Sequence, residues 1–360
     1  MPVSAVDAAK NVYNKYFVGR DHWNQAKGKS SHNSFDGLFR AAIDCIFVTT
    51  LYYKLPSSDP LKTTLRTVAT NMMNDLYNMT GSVTQWKNNP ADSPSCGFIA
   101  MAFATAYGYL SQSSNYRTRA IEAAEAMNKF YTDNASELSG NPLTTDSDCT
   151  RSRRTNNIMA IMGAGLADVA IHIFPNYASN PQSYPYRNAL TTFGNYARNS
   201  KNPDNDLWRY GGGNQSLELN GVKKKCVMDI GYDVWTVAGL AKIAVGTTYT
   251  RPPSTPSSVF WNTARTGVNG LQTLYNLNGK FPQLTGGGYT NNVYSEAPAW
   301  VLPISWVKEQ TLFDIAMDEA GGYDAAAGSD ERGGNSGEPN FHRLLWGLAG
   351  AMEYNLTVLR

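Results

Sequence analysis

The order of apolar and polar positions divides the chain into helices of two kinds. The first kind is apolar on every side, which is typical of helices buried all round, and comprises residues 97–110, 158–173 and 230–245. The second kind carries Lys, Arg, Glu, Asn and Thr on one face and apolar residues on the other, as surface helices do, and comprises residues 60–79, 115–131 and 257–276. The chain is therefore predicted to be all-α.

The two kinds alternate along the whole chain. Buried helices are predicted near residues 36–53, 97–110, 156–174, 229–245, 298–317 and 339–356, with amphipathic helices between them. Six buried helices that alternate with amphipathic ones predict an (α/α)6 toroid, with residues 1–360 as one catalytic domain. A ring of seven hairpins or an incomplete ring is the alternative, while an open solenoid lacks the fixed-period repeat that would support it.

The connections between these helices are long and polar, then short, in turn. The long ones cover residues 18–35, 80–95, 132–155, 200–228, 277–297 and 318–338. Because each long connection enters a buried helix, all of them are predicted to lie at the N-terminal ends of the inner helices. Helix N-termini favour anionic ligands through their free N–H groups and positive dipole.

Composition excludes several classes of function. The 360 residues are 42% hydrophobic and 17% charged, which is ordinary for a soluble globular protein. The net charge of +2 comes without a basic run, so nucleic acid is not expected as a partner. The sequence contains no run of 18 apolar residues, so a membrane span is not expected. We expect a secreted or periplasmic monomer whose signal peptide is absent from this chain.

The four cysteines do not predict a metal centre. Cys45, Cys96, Cys149 and Cys226 form no CxxC pair, so a zinc site is not expected, and neither a metal nor a cofactor is predicted. Cys45 falls within a helix and is predicted to be a buried thiol. A disulfide among the other three remains open.

Aromatic residues make up 12% of the chain, with 21 Tyr and 8 Trp, and many occur in the polar loops. Aromatic faces suit sugar rings, whose C–H groups pack against them. Trp23, Trp86, Trp208, Tyr210 and Tyr294 are therefore candidates for substrate binding. The same residues could instead pack between helices.

The densest polar segment, residues 149–158, opens one of the apolar helices. Arg151, Arg153 and Arg154 could bind a carboxylate through bidentate hydrogen bonds, and Asn156 and Asn157 follow them directly. The alternative is structural. Thr155 or Asn156 would then cap the helix, and the arginines would be solvated or would pair with Asp146 and Asp148.

Other candidate groups are spread over the remaining long loops. Tyr232 begins a buried helix, and a neighbouring cation such as Arg209 would lower a tyrosine's pKa and make it a base. His32 and His342, like His22, map to the long-loop face, whereas His172 ends a buried helix and is predicted to be structural. Glu296 is open to three interpretations: a catalytic acid, a substrate-binding residue or a helix N-terminal charge.

Two reactions fit a toroid with an aromatic cleft. Glycoside hydrolysis needs two carboxylates on either side of the scissile bond, and the candidates are Asp229, Asp233 and Glu296. β-Elimination of a uronic-acid polysaccharide instead needs a group that neutralises the sugar carboxylate, a base and a proton donor. Asn, Arg, His and Tyr provide these functions without a metal.

The segment Arg-Arg-Thr-Asn156-Asn157 at a helix start, followed by Tyr232 at the next, resembles the α/α-toroid polysaccharide lyases of the alginate and glucuronan lyase type. The matching motifs lie within residues 149–245. The rest of the chain resembles these lyases only in the order of its helices. It implies that Asn156 or Asn157 neutralises the carboxylate, that Tyr232 acts as the acid or as both acid and base, and that Arg209 or an arginine of the 151–154 cluster activates it. The His that follows the Asn pair in that family is Ile158 here, so His32 or His342 is the candidate for an imidazole.

We therefore expect a lyase that cleaves an anionic polysaccharide of glucuronan or alginate type. A glycoside hydrolase of the same fold is the first alternative. A non-catalytic carbohydrate-binding protein is the second.

Overall fold

The computed structural model describes residues 2–146, 149–202, 206–208, 217–219, 222–224, 228–282, 284–285, 298–328 and 340–359. In chain order its α-helices are α1 (Ala5–Val12), α2 (His22–Ala26), α3 (Leu38–Lys54), α4 (Leu61–Ser82), α5 (Gln85–Asn88), α6 (Ser95–Tyr109), α7 (Ser114–Asp133), α8 (Ala135–Ser139), α9 (Asn156–Ile173), α10 (Arg187–Asn199), α11 (Ile230–Thr248), α12 (Val259–Asn278), α13 (Gln310–Glu319), α14 (Tyr323–Gly328) and α15 (Asn340–Glu353). A π-helix spans Tyr13–Val18, and 3-10 helices span Pro175–Ser179, Pro181–Ser183 and Pro298–Val307.

The strands are short and pair antiparallel, two by two. They are β1 (Val3–Ser4) with β8 (Thr357–Val358), β2 (Leu143–Asp146) with β3 (Cys149–Ser152), β4 (Leu217–Leu219) with β5 (Val222–Lys224), and β6 (Met228–Asp229) with β7 (Leu284–Thr285). Apart from the first pair, they lie in the connections that enter α9 and α11 and in the one that follows α12.

Six elements form a closed inner ring. In order around the ring they are α3, α6, α9, α11, the 3-10 helix Pro298–Val307 and α15, and α15 packs back against α3. Helices α4, α7, α10, α12 and α13 each follow an inner element and pack on its outer side, and α1 packs against α15 in the sixth outer position. The fold is the predicted (α/α)6 toroid, with six hairpins and a closed ring.

Small residues let the inner helices approach closely. A Cβ atom on Gly97 would lie 2.4 Å from the backbone oxygen of Ile161, and one on Gly239 would lie 2.7 Å from that of Ala160. Real Cβ atoms do not come so near a backbone oxygen. These glycines therefore set the spacing between α6 and α9 and between α9 and α11.

We expect Gly239→Ala to lower the free energy of unfolding by about 1–3 kcal/mol, because the added methyl group forces two inner helices apart. Gly28→Ala is the matched control, since a Cβ there would meet no atom within 4 Å. Chemical denaturation of both variants measures the difference. Equal stabilities would contradict the close approach of α9 and α11.

One predicted element has a different form. Residues 298–317 are not a single buried helix but an inner 3-10 helix, Pro298–Val307, and the outer helix α13. Lys308 between them has a positive φ of 55°, which turns the chain from the inner to the outer layer. Pro298 and Pro303 each remove a backbone donor, which disfavours a long α-helix here.

The two chain ends close the ring. Strand β1 pairs with β8, and the Ala5 N–H donates to the Leu356 oxygen at 3.1 Å. The Asn11 amide donates to the Tyr323 hydroxyl at 2.8 Å. The last hairpin is thus completed by an outer helix from the beginning of the chain.

Inner helices begin where long connections end, as predicted, so the toroid has two unlike faces. We call the end with the N-termini of the inner elements the long-loop face and the opposite end the short-loop face.

Helix α9 is long and apolar enough to cross a membrane, but 94% of it is buried inside the protein, as expected for a core helix. Cys45 and Cys96 are both buried free thiols, so Cys96 takes no part in a disulfide.

Candidate functional site

The long-loop face brings the Asn pair to the first turn of α9. Asn156 is buried and its Oδ1 accepts a hydrogen bond from the Ser200 hydroxyl at 2.6 Å, which ties α9 to the end of α10. Asn157 is only 3% exposed, and its Oδ1 lacks a hydrogen-bond partner in the part of the chain that the structure describes. Rotation of the amide can present either a donor or an acceptor at this position. Asn157 is therefore the member of the pair with capacity for a ligand.

The arginines before α9 differ from one another in their surroundings. Arg154 forms a two-pronged bond with Glu137, with Nε 2.8 Å from Oε1 and Nη2 2.6 Å from Oε2. The hydrogen bond with Arg154, opposed by partial burial, lowers the pKa of Glu137. Arg153 is exposed and donates to the Asn141 oxygen at 3.1 Å, and Arg151 lies in β3, where only its backbone is described. Arg154 thus binds a carboxylate of the protein itself.

The entrance to α11 carries Tyr232 and two carboxylates. The Asp229 carboxylate accepts from the N–H groups of Gly231 at 2.9 Å and Tyr232 at 3.2 Å, so it caps the helix. The Tyr232 side chain is half-buried in the first turn. Since α9 and α11 are neighbours in the ring, Asn157 and Tyr232 lie at the same end of adjacent inner helices.

Asp233 is a buried carboxyl group behind Tyr232. One oxygen accepts from the Trp208 N–H at 3.0 Å, while Oδ2 has no partner among the described residues. Burial raises the pKa of Asp233 well above its ordinary value, and the hydrogen bond from Trp208 only partly offsets this. Burial therefore favours the protonated form of this carboxyl group.

Four aromatic rings close the bore of the toroid below this face. Phe39, Phe98, Trp235 and Trp346 come from four different inner helices, yet Phe98 lies 5.4 Å from Trp235 and 5.0 Å from Trp346 between ring centroids. Neither α11 nor α15 is next to α6 in the ring, so these contacts cross its centre. We call this group the aromatic floor.

An arginine lies between the floor and the inner 3-10 helix. The Arg343 guanidinium lies 4.1 Å from the Trp300 ring centroid and 4.9 Å from that of Trp235. A Cβ atom on Gly231 would collide with its Nη1 at 2.2 Å, so the glycine makes room for the guanidinium. The floor therefore combines apolar faces with a buried cation.

The structure corrects the predicted use of three tryptophans. Trp23, Trp86 and Trp208 are all buried, and their indole N–H groups donate to the Asp75 carboxylate, the Thr80 oxygen and the Ala197 oxygen respectively. Their ring faces pack into the core, so sugar rings cannot stack on them in this structure. Arg209, Tyr210, Tyr294 and Glu296 lie outside the described residues.

His32 and His342 meet two further residues at the long-loop face. His22, His32, Asp44 and His342 form a group, called here the His-Asp cluster. One ring nitrogen from each histidine and one carboxylate oxygen of Asp44 all lie within 4.8 Å of one another. His22 Nε2 is 2.9 Å and His32 Nε2 is 3.2 Å from Asp44 Oδ2, and His342 Nε2 is 3.3 Å from Oδ1. The expectation of no metal rested on the cysteines and did not consider these histidines together.

The protonation states within the cluster follow from burial and charge. Burial is the largest effect on His342 and lowers its pKa to about 4, against the attraction of Asp44. Burial opposes the ionisation of Asp44, but His22 and His342 outweigh it and hold the pKa well below its usual range. One buried carboxylate is thus surrounded by imidazoles, with His342 neutral at pH 7.

A cavity of about 110 Å³ lies at the opposite, short-loop face. Lys242 Nζ is 2.9 Å from Asp168 Oδ1 and 3.9 Å from the Trp306 ring centroid, and His172 lines the same cavity. Burial raises the pKa of Asp168, although Lys242 counteracts it. None of the described residues that the sequence indicated for the active site lines this cavity.

The protein should lose stability in acid partly through His172. Burial, followed by the charges of Arg251 and Lys242, lowers its pKa from 6.5 to about 3. The fold favours the neutral imidazole, so this contribution is present above pH 6.5 and is lost as the pH falls towards 3. Because His172 lines a cavity and is partly exposed, we expect about 2 kcal/mol rather than the full shift.

Denaturation at pH 7 and pH 4 tests this expectation. His172→Gln should lose about 2 kcal/mol less than the wild type between the two pH values. Equal losses would mean that the His172 imidazole does not titrate differently in the folded and unfolded states.

Comparison with known proteins adds evidence on the fold. No family model matches the sequence, and no curated protein matches it. A polysaccharide lyase of known structure superposes over 97% of this chain and 96% of its own, with a TM-score of 0.51 and 13% sequence identity. An α-amylase from Clostridium perfringens covers 86% of both chains with a TM-score of 0.48 and 11% identity. At 13% identity the likeness to the lyase shows the fold alone.

Several features of the site were missed from the sequence. Asp44 is a carboxylate inside the apolar helix α3, and a buried charge there demands compensation; this signal could have drawn attention to the histidines. Arg343 likewise lies in an apolar helix, and Trp235 and Trp346 lie on inner helices rather than in loops. Aromatic residues in the polar loops therefore gave no indication of the aromatic floor.

Proposed function

We propose that the protein is a polysaccharide lyase that cleaves a uronic-acid polysaccharide of glucuronan or alginate type by β-elimination. The observation that carries the proposal is the placement of Asn157 and Tyr232. Both lie in the first turns of adjacent inner helices, at the face where the aromatic floor closes the bore. This is the arrangement implied by the resemblance to the alginate and glucuronan lyases.

The two residues divide the chemistry between them. The Asn157 amide hydrogen-bonds the substrate carboxyl group and favours the charge that develops there when the C5 proton leaves. The Tyr232 oxygen takes the C5 proton, the C4–O bond breaks, and a C4=C5 double bond forms. The departing O4 receives a proton from the same phenol, so protons and electrons balance without a further reactant.

Histidine is a weaker candidate for the base than the sequence suggested. His32 is 2% exposed, and its Nε2 lies 3.2 Å from Asp44 Oδ2, while Nδ1 lies 3.2 Å from the Ser31 hydroxyl. A base must reach the proton that it removes. We therefore assign the base function to Tyr232, with Arg209 as its proposed activator.

A second candidate is glycoside hydrolysis, which Asp233 favours. Burial raises the pKa of its carboxyl group, as an apolar environment does for the general acid of a glycosidase. However, Asp229 is engaged as a helix cap and Asp233 is 1% exposed. Both residues lie at the start of α11 and not on opposite sides of the bore, where a glycosidase would need them. We therefore prefer elimination.

The proposed substrate also implies where the protein acts and what it binds. Uronic-acid polysaccharides occur outside cells and in cell walls, so we propose a secreted or periplasmic enzyme. We propose that it works as a monomer, since one chain contains the complete inner ring.

A panel of polysaccharides tests the proposal. Glucuronan, alginate and other polyuronates are incubated with the protein, and the ultraviolet absorbance of an unsaturated uronate is recorded. Neutral glucans and mannans are the control. We expect the absorbance to rise with at least one polyuronate and with no neutral polymer. Release of reducing ends without that absorbance would favour the hydrolase, and no release from any polymer would favour a binding protein.

A further inference from the structure

The His-Asp cluster has the composition and spacing of a metal site. Three imidazole nitrogens face one carboxylate at 2.9, 3.2 and 3.3 Å. In a tetrahedral site with bonds of about 2.0 Å, neighbouring ligand atoms are about 3.3 Å apart. The three nitrogen–oxygen distances are close to that value, and one ligand atom from each of the four residues lies within 4.8 Å of the others.

The cluster is not satisfied by hydrogen bonds within the protein. Asp44 Oδ1 and both ring nitrogens of His342 are buried and have no hydrogen-bond partner in the described chain, although Nε2 and Oδ1 are 3.3 Å apart. Buried polar atoms in native proteins nearly always have partners. Two unpaired atoms that face one another are what a bound cation would explain.

The surroundings orient the ligands. The Ser31 hydroxyl lies 3.2 Å from His32 Nδ1 and leaves Nε2 directed at Asp44, as outer partners of metal-binding histidines do. The His22 ring is held between Phe17 at 5.2 Å and Phe341 at 4.8 Å, both edge-on. Its side chain remains 21% exposed, which gives an ion a path of entry.

We propose that His22, His32, Asp44 and His342 bind one divalent transition-metal ion, of which Zn²⁺ fits best. Three imidazoles and one carboxylate are ligands that Zn²⁺ accepts in tetrahedral geometry. Four protein ligands fill the coordination sphere, so the ion is structural. It joins α2 and the following loop to α3 and α15, the first and last helices of the inner ring.

This position gives the ion a defined task. The ring closes where α15 packs on α3, and the pairing of β1 with β8 and the packing of α1 on α15 reinforce that closure. His342 precedes Arg343, which contacts the aromatic floor. An ion in the cluster therefore fixes both the closure of the toroid and the position of the floor arginine.

Metal binding can be measured without any enzyme assay. The full-length protein is stripped with a chelator, dialysed and titrated with ZnCl₂ by calorimetry, and Co²⁺ is added in parallel to record its visible spectrum. We expect one Zn²⁺ per chain, a rise in melting temperature on binding, and the intense absorbance of tetrahedral Co²⁺. Failure of the wild-type protein to bind either ion, or octahedral Co²⁺, would overturn the proposal.

Two histidine variants locate the ion. His342→Gln removes a ligand and should weaken Zn²⁺ binding by about 100-fold or more, because a tetrahedral site loses one of its four bonds. His172→Gln is the control, since it changes the only histidine outside the cluster and should bind as the wild type does. Circular dichroism establishes that both variants are folded. If His342→Gln does not fold, the wild-type Co²⁺ spectrum decides on its own, and equal binding by both variants would overturn the assignment.

Discussion

Replacement of Tyr232 by phenylalanine is expected to reduce β-elimination by about 10²–10⁴-fold, the usual contribution of a positioned proton-transfer group. The proposal gives this phenol both proton transfers, and phenylalanine can perform neither. The backbone around it should be unaffected, because Asp229 accepts from the Tyr232 N–H and Thr236 donates to its carbonyl oxygen. The loss should therefore appear in kcat, with little change in melting temperature.

Tyr249→Phe is the matched control. Tyr249 ends the same helix at the short-loop face, and its hydroxyl has no hydrogen-bond partner among the described residues. The same atom is removed from the opposite end of α11, so activity should be unchanged. Retention of full activity by Tyr232→Phe would eliminate the phenol as the acid and base.

Replacement of Asn157 by alanine is expected to reduce kcat by about 10²–10³-fold, as the loss of one transition-state hydrogen bond does. Asn157→Asp should be at least as damaging, because a second carboxylate would repel that of the substrate. Asn157→Ala should keep its stability, since Asn157 Oδ1 has no protein partner in the described structure. Steady-state kinetics with the responsive polyuronate measures the effect.

Asn156 provides the contrast. Its Oδ1 accepts from Ser200, so Asn156→Ala leaves a buried hydroxyl with one bond fewer and should destabilise the fold by about 1–2 kcal/mol. If Asn156→Ala instead abolished activity at full stability while Asn157→Ala did not, the roles of the two amides would be reversed.

The architecture could be predicted because it depends on local patterns. A helix such as α6 that is apolar on every side has to be buried, and one such as α4 with a polar face has to be at the surface. The alternation of the two, together with the lengths of their connections, was sufficient to predict a closed double ring. The exception is the 3-10 helix Pro298–Val307, where two prolines act against the apolar pattern.

The site depends on distant residues, and for that reason less of it could be predicted. Asp44 and His342 are almost 300 positions apart and meet only because the ring closes. Arg154 was expected to bind a carboxylate and does so, but the carboxylate is that of Glu137. Trp86 and Trp208 occur in segments that are polar in sequence, yet both rings are buried in the core.

The most direct test of the account is the origin of the oxygen in the product. The responsive polyuronate is cleaved in water enriched in the heavy oxygen isotope, and the products are analysed by mass spectrometry. Elimination takes up no water, so we predict unlabelled products in which the new non-reducing end is unsaturated and their masses sum to that of the substrate. Two saturated products whose masses sum to that of the substrate plus one labelled water would contradict the lyase mechanism and assign the site to hydrolysis.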